Sequence, residues 1–271
     1  MAVPQMIRNF IPNNIVNIFW HLPKAILANL YYGYPSRKLT VIGVTGTDGK
    51  TTTSSMLYHI LHTHGFKVAL ISTVAAYIGD NAIDTGFHVT TPAPFAIQKL
   101  LHTIVQQGYT HVVLEVTSQG LVQNRTWGIK FTGGIITNIS EDHLDYHGTW
   151  EKYVAAKALL FKYVDFSVLN QDDKSFALLK RIANGKIITY GINSGDWNNK
   201  SNQVKIDLIG DYNILNALAA AAAANQLGIR KESILQSLKS FPGVLGRMQK
   251  MYRGNFLAIV DFAHTPNALN Q

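Results

Sequence analysis

Thr45-Gly46-Thr47-Asp48-Gly49-Lys50-Thr51-Thr52 decides the reading of this chain. The stretch follows a short apolar run, Leu39 to Val44, and leads into a segment of helical character, Thr51 to His64. Strand, glycine-bearing loop, Lys-Thr and helix is the arrangement that holds a nucleoside triphosphate. Gly46 and Gly49 let the backbone curl so that its N–H groups point at phosphate oxygens. Lys50 places a cation at the β- and γ-phosphates, and the Thr51 hydroxyl is a Mg²⁺ ligand. The general pattern GxxxxGKS/T is not met in full, because Val44 stands where its first glycine belongs. A tight strand-to-helix turn with an incidental lysine is the competing reading.

Outward from this loop, strand-like and helix-like segments alternate. The strands expected are Leu39–Val44, Lys67–Ser72, Thr110–Val116, Gly134–Asn138, Phe166–Asn170, Lys186–Tyr190 and Phe256–Asp261. Helical patterns cover Thr51–His64, Ala93–Gln107, Trp150–Tyr163, Lys174–Ala183, Tyr212–Leu227 and Lys231–Ser240. Near-continuous apolar strands such as Val41-Ile42-Gly43-Val44 suit a parallel sheet covered on both faces. The fold class is therefore α/β, a mostly parallel sheet flanked by helices, with nucleotide at the carboxyl ends of the strands. The alanine run Ala219–Ala224 reads as a tightly packed helix face.

The first 38 residues have a different character. Ile7 to Tyr34 is apolar and aromatic, but Pro12, His21, Pro23 and Lys24 interrupt it. It contains no uninterrupted span of about 20 apolar residues for a membrane-crossing helix. The thin basic start and the lack of a small-residue cleavage site argue against a signal peptide. Two readings stay open: a pair of helices packed on the main domain, or an amphipathic segment at a membrane surface. Pro35-Ser36-Arg37-Lys38 reads as the hinge into the next domain.

Composition narrows the chemistry. The chain has no cysteine, which excludes disulfides, thiolate metal sites and a Cys nucleophile, and suits a reducing cytoplasm. A formal charge of +8 points to anionic partners. With no dense Lys/Arg block, nucleic acid is not favoured over a small anionic substrate.

Four further clusters fall at strand ends or near them. Glu115 ends the apolar strand Leu114-Glu115-Val116, where a carboxylate completes a Mg²⁺ shell or sits in a buried ion pair. Asn138 to His147 supplies several groups able to ligate a cation or relay a proton. Lys157, amid alanines and leucines, reads on its own as a lysine that snorkels to solvent. Thr90-Thr91-Pro92, with His88 upstream, either binds substrate through its hydroxyls or shapes a turn.

Taken together, these motifs resemble the Mur ligases, and among them the branch of UDP-N-acetylmuramoyl-tripeptide synthetases. The resemblance rests on the loop at Gly46–Thr52, Thr90-Thr91-Pro92, Leu114 to Ser118 and Asn138 to Gly148. It continues through Tyr153 to Lys157, Gly210 to Asn213 with Asn216, Gly246-Arg247-Met248 and Asp261 to Pro266. It implies a central ATP-binding domain at 39–245, an apolar helical segment at 1–38, and the start of a truncated C-terminal domain at 246–271.

The roles it implies are as follows. Gly46, Thr47, Asp48, Gly49, Lys50, Thr51 and Thr52 hold the ATP phosphates. Asn213 and Asn216 contact adenine, while Arg247, Asp261 and His264 lie near the nucleotide. Thr51 and Glu115 hold one Mg²⁺; His143 and a carbamylated Lys157 hold a second, and with Lys50 they form the catalytic set. Thr90, Thr91, Ser118, Gln123 and Arg125 match contacts to the UDP-N-acetylmuramoyl-peptide. The implied reaction joins that peptide to a free amino acid through an acyl phosphate. The implied setting is a cytoplasmic monomer, with possible peripheral membrane contact through residues 1–38.

The sequence also departs from the pattern. Asp48 stands where Asn is usual and Gln119 where His is common. The apolar segment takes the place of a UDP-binding domain, and the sequence stops soon after Asp261. The expectation is nucleotide binding with weak or absent ligation by these residues alone. Alternatives are a folylpolyglutamate-synthetase-like or cyanophycin-synthetase-like ligase, or an inactive ATP-binding module.

Overall fold

The computed structural model describes residues 13–79, 81–83, 90–142 and 144–263. Its centre is the strand Thr40–Thr45 (β1), whose alternate residues serve two cores. Val41 packs with one apolar cluster, and Ile42 and Val44 with the other. That two-sided burial is why the strand is apolar throughout rather than alternating.

Around β1 the sheet has nine strands. In chain order the others are Val68–Ile71 (β2), Ala76–Ile78 (β3), Asn81–Ile83 (β4), His111–Glu115 (β5), Gly133–Ile136 (β6), Phe166–Asn170 (β7), Lys186–Gly191 (β8) and Trp197–Asn198 (β9). Their spatial order is β4-β3-β2-β5-β1-β6-β7-β8-β9. Every pairing from β2 to β9 is parallel, and β3 and β4 run antiparallel at one edge. The chain leaves β1 towards β2 on one side and later fills the other side with β6, β7 and β8. The carboxyl end of β1 therefore lies at the switch point where such sheets open a crevice.

One face is covered by Lys50–Thr63 (α2), Asp211–Gln226 (α7) and Lys231–Lys239 (α8). Ala217 to Ala224 of α7 are all fully buried, and the alanines among them let that helix pack closely beside α2, with α2 over β1, β2 and β5 and α7 over β6 to β9. The opposite face carries Pro94–Gln106 (α3), Ser118–Val122 (α4) and Trp150–Ala158 (α5). Phe176–Ile182 (α6) lies beyond, against β7. The helix expected over Trp150–Tyr163 tightens into a 3₁₀ turn at Leu159–Phe161, and that over Lys174–Ala183 begins only at Phe176.

Leu22–Tyr32 (α1) packs on α3, continuing a π-helical turn at Asn17–His21. It buries Ala25, Ala28 and Asn29, and the Asn29 amide donates to Ala25 O and Trp127 O at 2.8 and 2.7 Å. The strand expected at Phe256–Asp261 is present as Leu257–Val260 (β11), but it stands outside the sheet. It pairs antiparallel with Gln249–Arg253 (β10), which sequence periodicity missed. Short β3, β4 and β9 were also missed, being two or three residues each and too brief to show a period.

Two glycines set the spacing of the α5 side. Gly43 and Gly134 are register partners in β1 and β6. A Cβ at Gly43 would lie 2.6 Å from Leu160 Cδ1 and 2.9 Å from Phe131 Cε1, and one at Gly134 would lie 2.8 Å from the Phe161 ring. The bare backbone lets the residues after α5 rest directly on the sheet. Gly43→Ala is expected to cost about 1–3 kcal/mol of stability through overpacking. Chemical denaturation measures it, and an unchanged midpoint would refute this account of the spacing.

Candidate functional site

The loop between β1 and α2 is wrapped tightly against β6. A Cβ on Gly46 would fall on the Thr137 hydroxyl, and one on Gly49 (φ 78°) would fall on the Asn216 side chain. Thr137 Oγ1 and Asn138 Nδ2 donate to Asp48 O at 2.6 and 3.2 Å, and Asp48 N donates to Asn138 Oδ1 at 3.0 Å. Thr47 N donates to Asn138 O at 2.8 Å. Clamped this way, the loop aims the amino end of α2, with its unpaired first-turn N–H groups, into the cleft. Lys50 Nζ donates to Gly46 O and Thr47 O at 3.0 and 2.7 Å, so the ammonium lies over the loop. Desolvation lowers its pKa, against the pull of Glu115 and Asp48.

Glu115, the last residue of β5, is fully buried beside this lysine. Its Oε2 accepts from Thr73 Oγ1 at 2.9 Å and Thr51 Oγ1 at 3.3 Å, while its Oε1 has no hydrogen-bond partner. Burial pushes the carboxyl up, although Lys50 draws it down. Arg247 Nη2 approaches Thr51 Oγ1 at 3.5 Å, and its guanidinium lies over the Phe262 ring. Thr73 also donates to Thr90 Oγ1 at 2.9 Å, tying the Thr90 turn to the same carboxylate. Thr73 follows the strand expected at Lys67–Ser72; its place at a carboxyl strand end was the available signal.

Lys157 does not snorkel. It is only 1% exposed, donates to Gly46 O at 2.7 Å, and lies over the Tyr153 ring at 4.4 Å. Burial, reinforced by the neighbouring Lys50, holds its amine well below the usual lysine range. A small cavity of about 40 Å³ opens here, lined by Gly46, Lys50, Ser118, Gln119, Tyr153 and Lys157 among others. Tyr153 contacts Thr47 Oγ1 at 3.2 Å, and desolvation raises its hydroxyl to about 12.

The residues matched to substrate contacts are brought together, largely bonded to one another. Thr91 Oγ1 accepts from Thr117 N at 2.8 Å, and Thr91 O accepts from Arg125 Nη1 at 2.7 Å. Arg125 also donates to Gln123 Oε1 from Nε and Nη2, and Gln123 donates to Tyr146 Oη at 3.2 Å. Ser118 Oγ meets His147 Nε2 at 2.9 Å. Burial lowers the Arg125 guanidinium pKa.

A cleft of about 1040 Å³ runs from Thr90 past the loop to Asn213, Asn216, Arg247 and Asp261. Asn216 accepts from Thr53 Oγ1 and donates to Asn213 Oδ1, both at 3.2 Å, and Asp261 Oδ1 accepts from Met248 N at 3.1 Å. His88, His143 and His264 lie outside the described residues. Among the described residues no group of three or more His, Cys, Asp or Glu could hold a metal by itself. The oxygens placed to hold a cation are the unpartnered Glu115 Oε1 and the Thr51 hydroxyl.

Because burial lowers the Lys157 pKa in the folded protein, the unfolded chain holds the extra proton, and stability rises with pH up to the ordinary value of 10.5. Lys157→Met is therefore expected to be more stable than the parent at neutral pH in bicarbonate-free buffer, with the two converging as pH approaches that value. Urea unfolding across this range reads the effect, and a pH-independent difference would contradict it.

Comparison with known proteins matches this geometry to a family. The Mur ligase middle domain model fits residues 44–224. The UDP-N-acetylmuramoyl-L-alanyl-D-glutamate–2,6-diaminopimelate ligase of Bacteroides fragilis is 39% identical over 263 residues, 89% of this chain and 53% of that protein. The ligase of the same name from Clostridium botulinum is 37% identical over 267 residues, 90% of this chain and 55% of its own length. A solved structure of an enzyme of that name superposes with a TM-score of 0.73 at 32% identity, covering 85% of this chain and 52% of that one. The chain spans about half the length of the curated relatives it matches. The matched region takes in the loop at Gly46–Thr52, Glu115, Lys157 and most of α7, so the chain belongs to the Mur ligase family and carries its middle domain.

Proposed function

We propose that this protein is the ATP-binding core of a ligase that joins an amino acid to a UDP-N-acetylmuramoyl-peptide in peptidoglycan synthesis. The single observation that carries the reading is the buried Glu115 with its unpartnered Oε1, set against Thr51 and the cationic loop. A buried carboxylate oxygen without a donor is costly unless a cation meets it. Thr51 and Glu115 would therefore hold Mg²⁺, which when bound neutralises charge on the ATP phosphates.

The chain's own groups then divide the work. Backbone N–H groups of the loop and the Lys50 ammonium bind the phosphates and stabilise charge as the peptide's carboxylate attacks the γ-phosphorus. ADP leaves and an acyl phosphate remains. The amino acid's amine attacks the acyl carbon, loses its proton, and phosphate departs. Asn213 and Asn216 would lie at the adenine end, with Arg247, Asp261 and His264 near the nucleotide. Thr90, Thr91, Ser118, Gln123 and Arg125 would shape the muramoyl-peptide end. Because the relatives are named for 2,6-diaminopimelate, that diamino acid is the first nucleophile to assay. The domain division at 38 and 245, and a cytoplasmic, monomeric setting, belong to the same proposal.

Lys157 is assigned a carbamate. Addition of CO₂ needs a neutral amine, which burial favours, and the adjoining cavity is wide enough for a small group. Lys50 would face the resulting negative charge. The carbamate and His143 would support a second Mg²⁺. With ¹³C-bicarbonate, a carbamate carbonyl resonance is expected in the parent protein and not in Lys157→Ala, which should retain ATP binding but lose acyl-phosphate formation. A parent spectrum without that resonance overturns the assignment.

Asp48→Asn removes a negative charge beside the phosphates. It should tighten ATP binding about five-fold, or ~1 kcal/mol for charges about 4 Å apart near water. Calorimetric titration checks this, and unchanged affinity would remove Asp48 from the phosphate site. If ATP·Mg²⁺ binds but no muramoyl-peptide stimulates phosphate release, an ATP-binding module replaces the ligase reading.

A further inference from the structure

The helical rod that begins the described chain is packed inside out. Its inward stripe is small and polar: Asn17, Ala25, Ala28 and Asn29 are buried, and the Asn29 amide is fastened to Trp127 O. Its large apolar side chains face outward. Ile18, Phe19, Leu27, Leu30 and Tyr31 are exposed, Phe19 and Tyr31 at 75% and 76%. Their positions, 18, 19, 27, 30 and 31, follow the spacing of one helix face. Exposed Phe95 of α3 extends the patch, its ring 6.4 Å from that of Tyr31. A contiguous outward apolar stripe marks an interaction surface.

Charge identifies the partner. Three segments of the described residues build this side of the molecule: residues 13–39, the α3 region, and the turn at Trp127 and Gly128 that receives Asn29 and Ser36. No Asp or Glu occurs in residues 1–47, 85–114 or 116–140. Lys24, Arg37, Lys38 and Lys99 do occur there, the last three exposed. Lys24 lies over the Trp20 ring at 3.8 Å and Arg37 over the Tyr34 ring at 4.3 Å. Apolar residues on one side, aromatic rings paired with cations at the border, and no carboxylate is the pattern of a helix lying in an anionic lipid interface. A protein partner of ordinary surface composition gives no reason for the missing carboxylates. No helix among the described residues is long and apolar enough to cross a membrane.

We propose that this face docks on the surface of an anionic phospholipid bilayer, the rod lying in the plane of the interface with Phe19, Leu27, Leu30 and Tyr31 inserted among the acyl chains. The docking site lies apart from the nucleotide cleft, so it stands or falls independently of the ligase reading.

Vesicle co-sedimentation of the 271-residue protein tests it, with phosphatidylglycerol–phosphatidylcholine vesicles compared with phosphatidylcholine alone. Binding is expected to the anionic vesicles, weakened by salt. Lys24→Gln and Lys99→Gln are each expected to lower the partition coefficient roughly five-fold, the conversion of about 1 kcal/mol per basic group at such a surface. Phe19→Ser with Tyr31→Ser should abolish binding while thermal unfolding and ATP binding stay unchanged, since both side chains point to solvent. No binding to anionic vesicles, or binding indifferent to the serine pair, overturns the proposal. Concentration-dependent dimerisation that the same pair abolishes, without vesicle binding, also overturns it and assigns the face to a second copy.

Discussion

The hydrogen bond from Lys157 Nζ to Gly46 O couples the α5 layer to the phosphate loop, and the rest of the site depends on that contact. How closely a helix approaches the sheet it covers depends on the side chains between them, and a bare sheet face lets it come nearer. Gly43 and Gly134 supply the bare face, and Leu160 and Phe161 rest on it. Lys157 lies one turn earlier and is delivered under the loop. Two glycines that look like weak points in apolar strands thus fix the depth at which an amine enters the site.

Once there, the charges are arranged against their own solvation. Lys50 and Lys157 are both desolvated, Lys50 further lowers the proton affinity of Lys157, and Glu115 is buried nearby with a raised pKa. Lys50 and Glu115 only partly satisfy one another, because the carboxylate's donors are the hydroxyls of Thr51 and Thr73 rather than the ammonium. Such a site is poorly solvated on its own and gains from polyanion and cation arriving together. Nucleotide–metal complexes meet both needs at once.

Much of the fold was legible because its strands are buried on both faces. Val41–Val44 and Val112–Leu114 are unbroken apolar runs, and such runs in alternation with 3.6-period helices admit few architectures. The strands missed at the sheet edge are too short to carry a period, and β11 was legible as a strand but not as part of a separate hairpin, since pairing partners leave no local trace. At the site, strand ends drew attention to Glu115 and to the loop from residue alone. Lys157 was opaque by the same logic: alanine and leucine neighbours suit a snorkelling lysine as well as a buried one, and only the tertiary approach to Gly46 separates them. Thr73 was marked only by its place at a carboxyl strand end, a signal that one threonine outside any motif shares with many other residues.

The Asn213–Asn216 pair shows how the two ends of the cleft are mechanically joined. Resemblance places both residues at adenine, yet the Asn216 amide bonds Thr53 and Asn213 and lies against Gly49, filling the space a Cβ there would take. Asn213 is in turn held to Ile209 O at 2.7 Å, at the start of α7. A displacement of α7 caused by a base at its amino end would therefore reach the phosphate loop through Asn216 rather than dissipate in solvent. The alanine packing of α7 against α2 makes that route stiff, because small side chains leave little freedom for the two helices to slide independently.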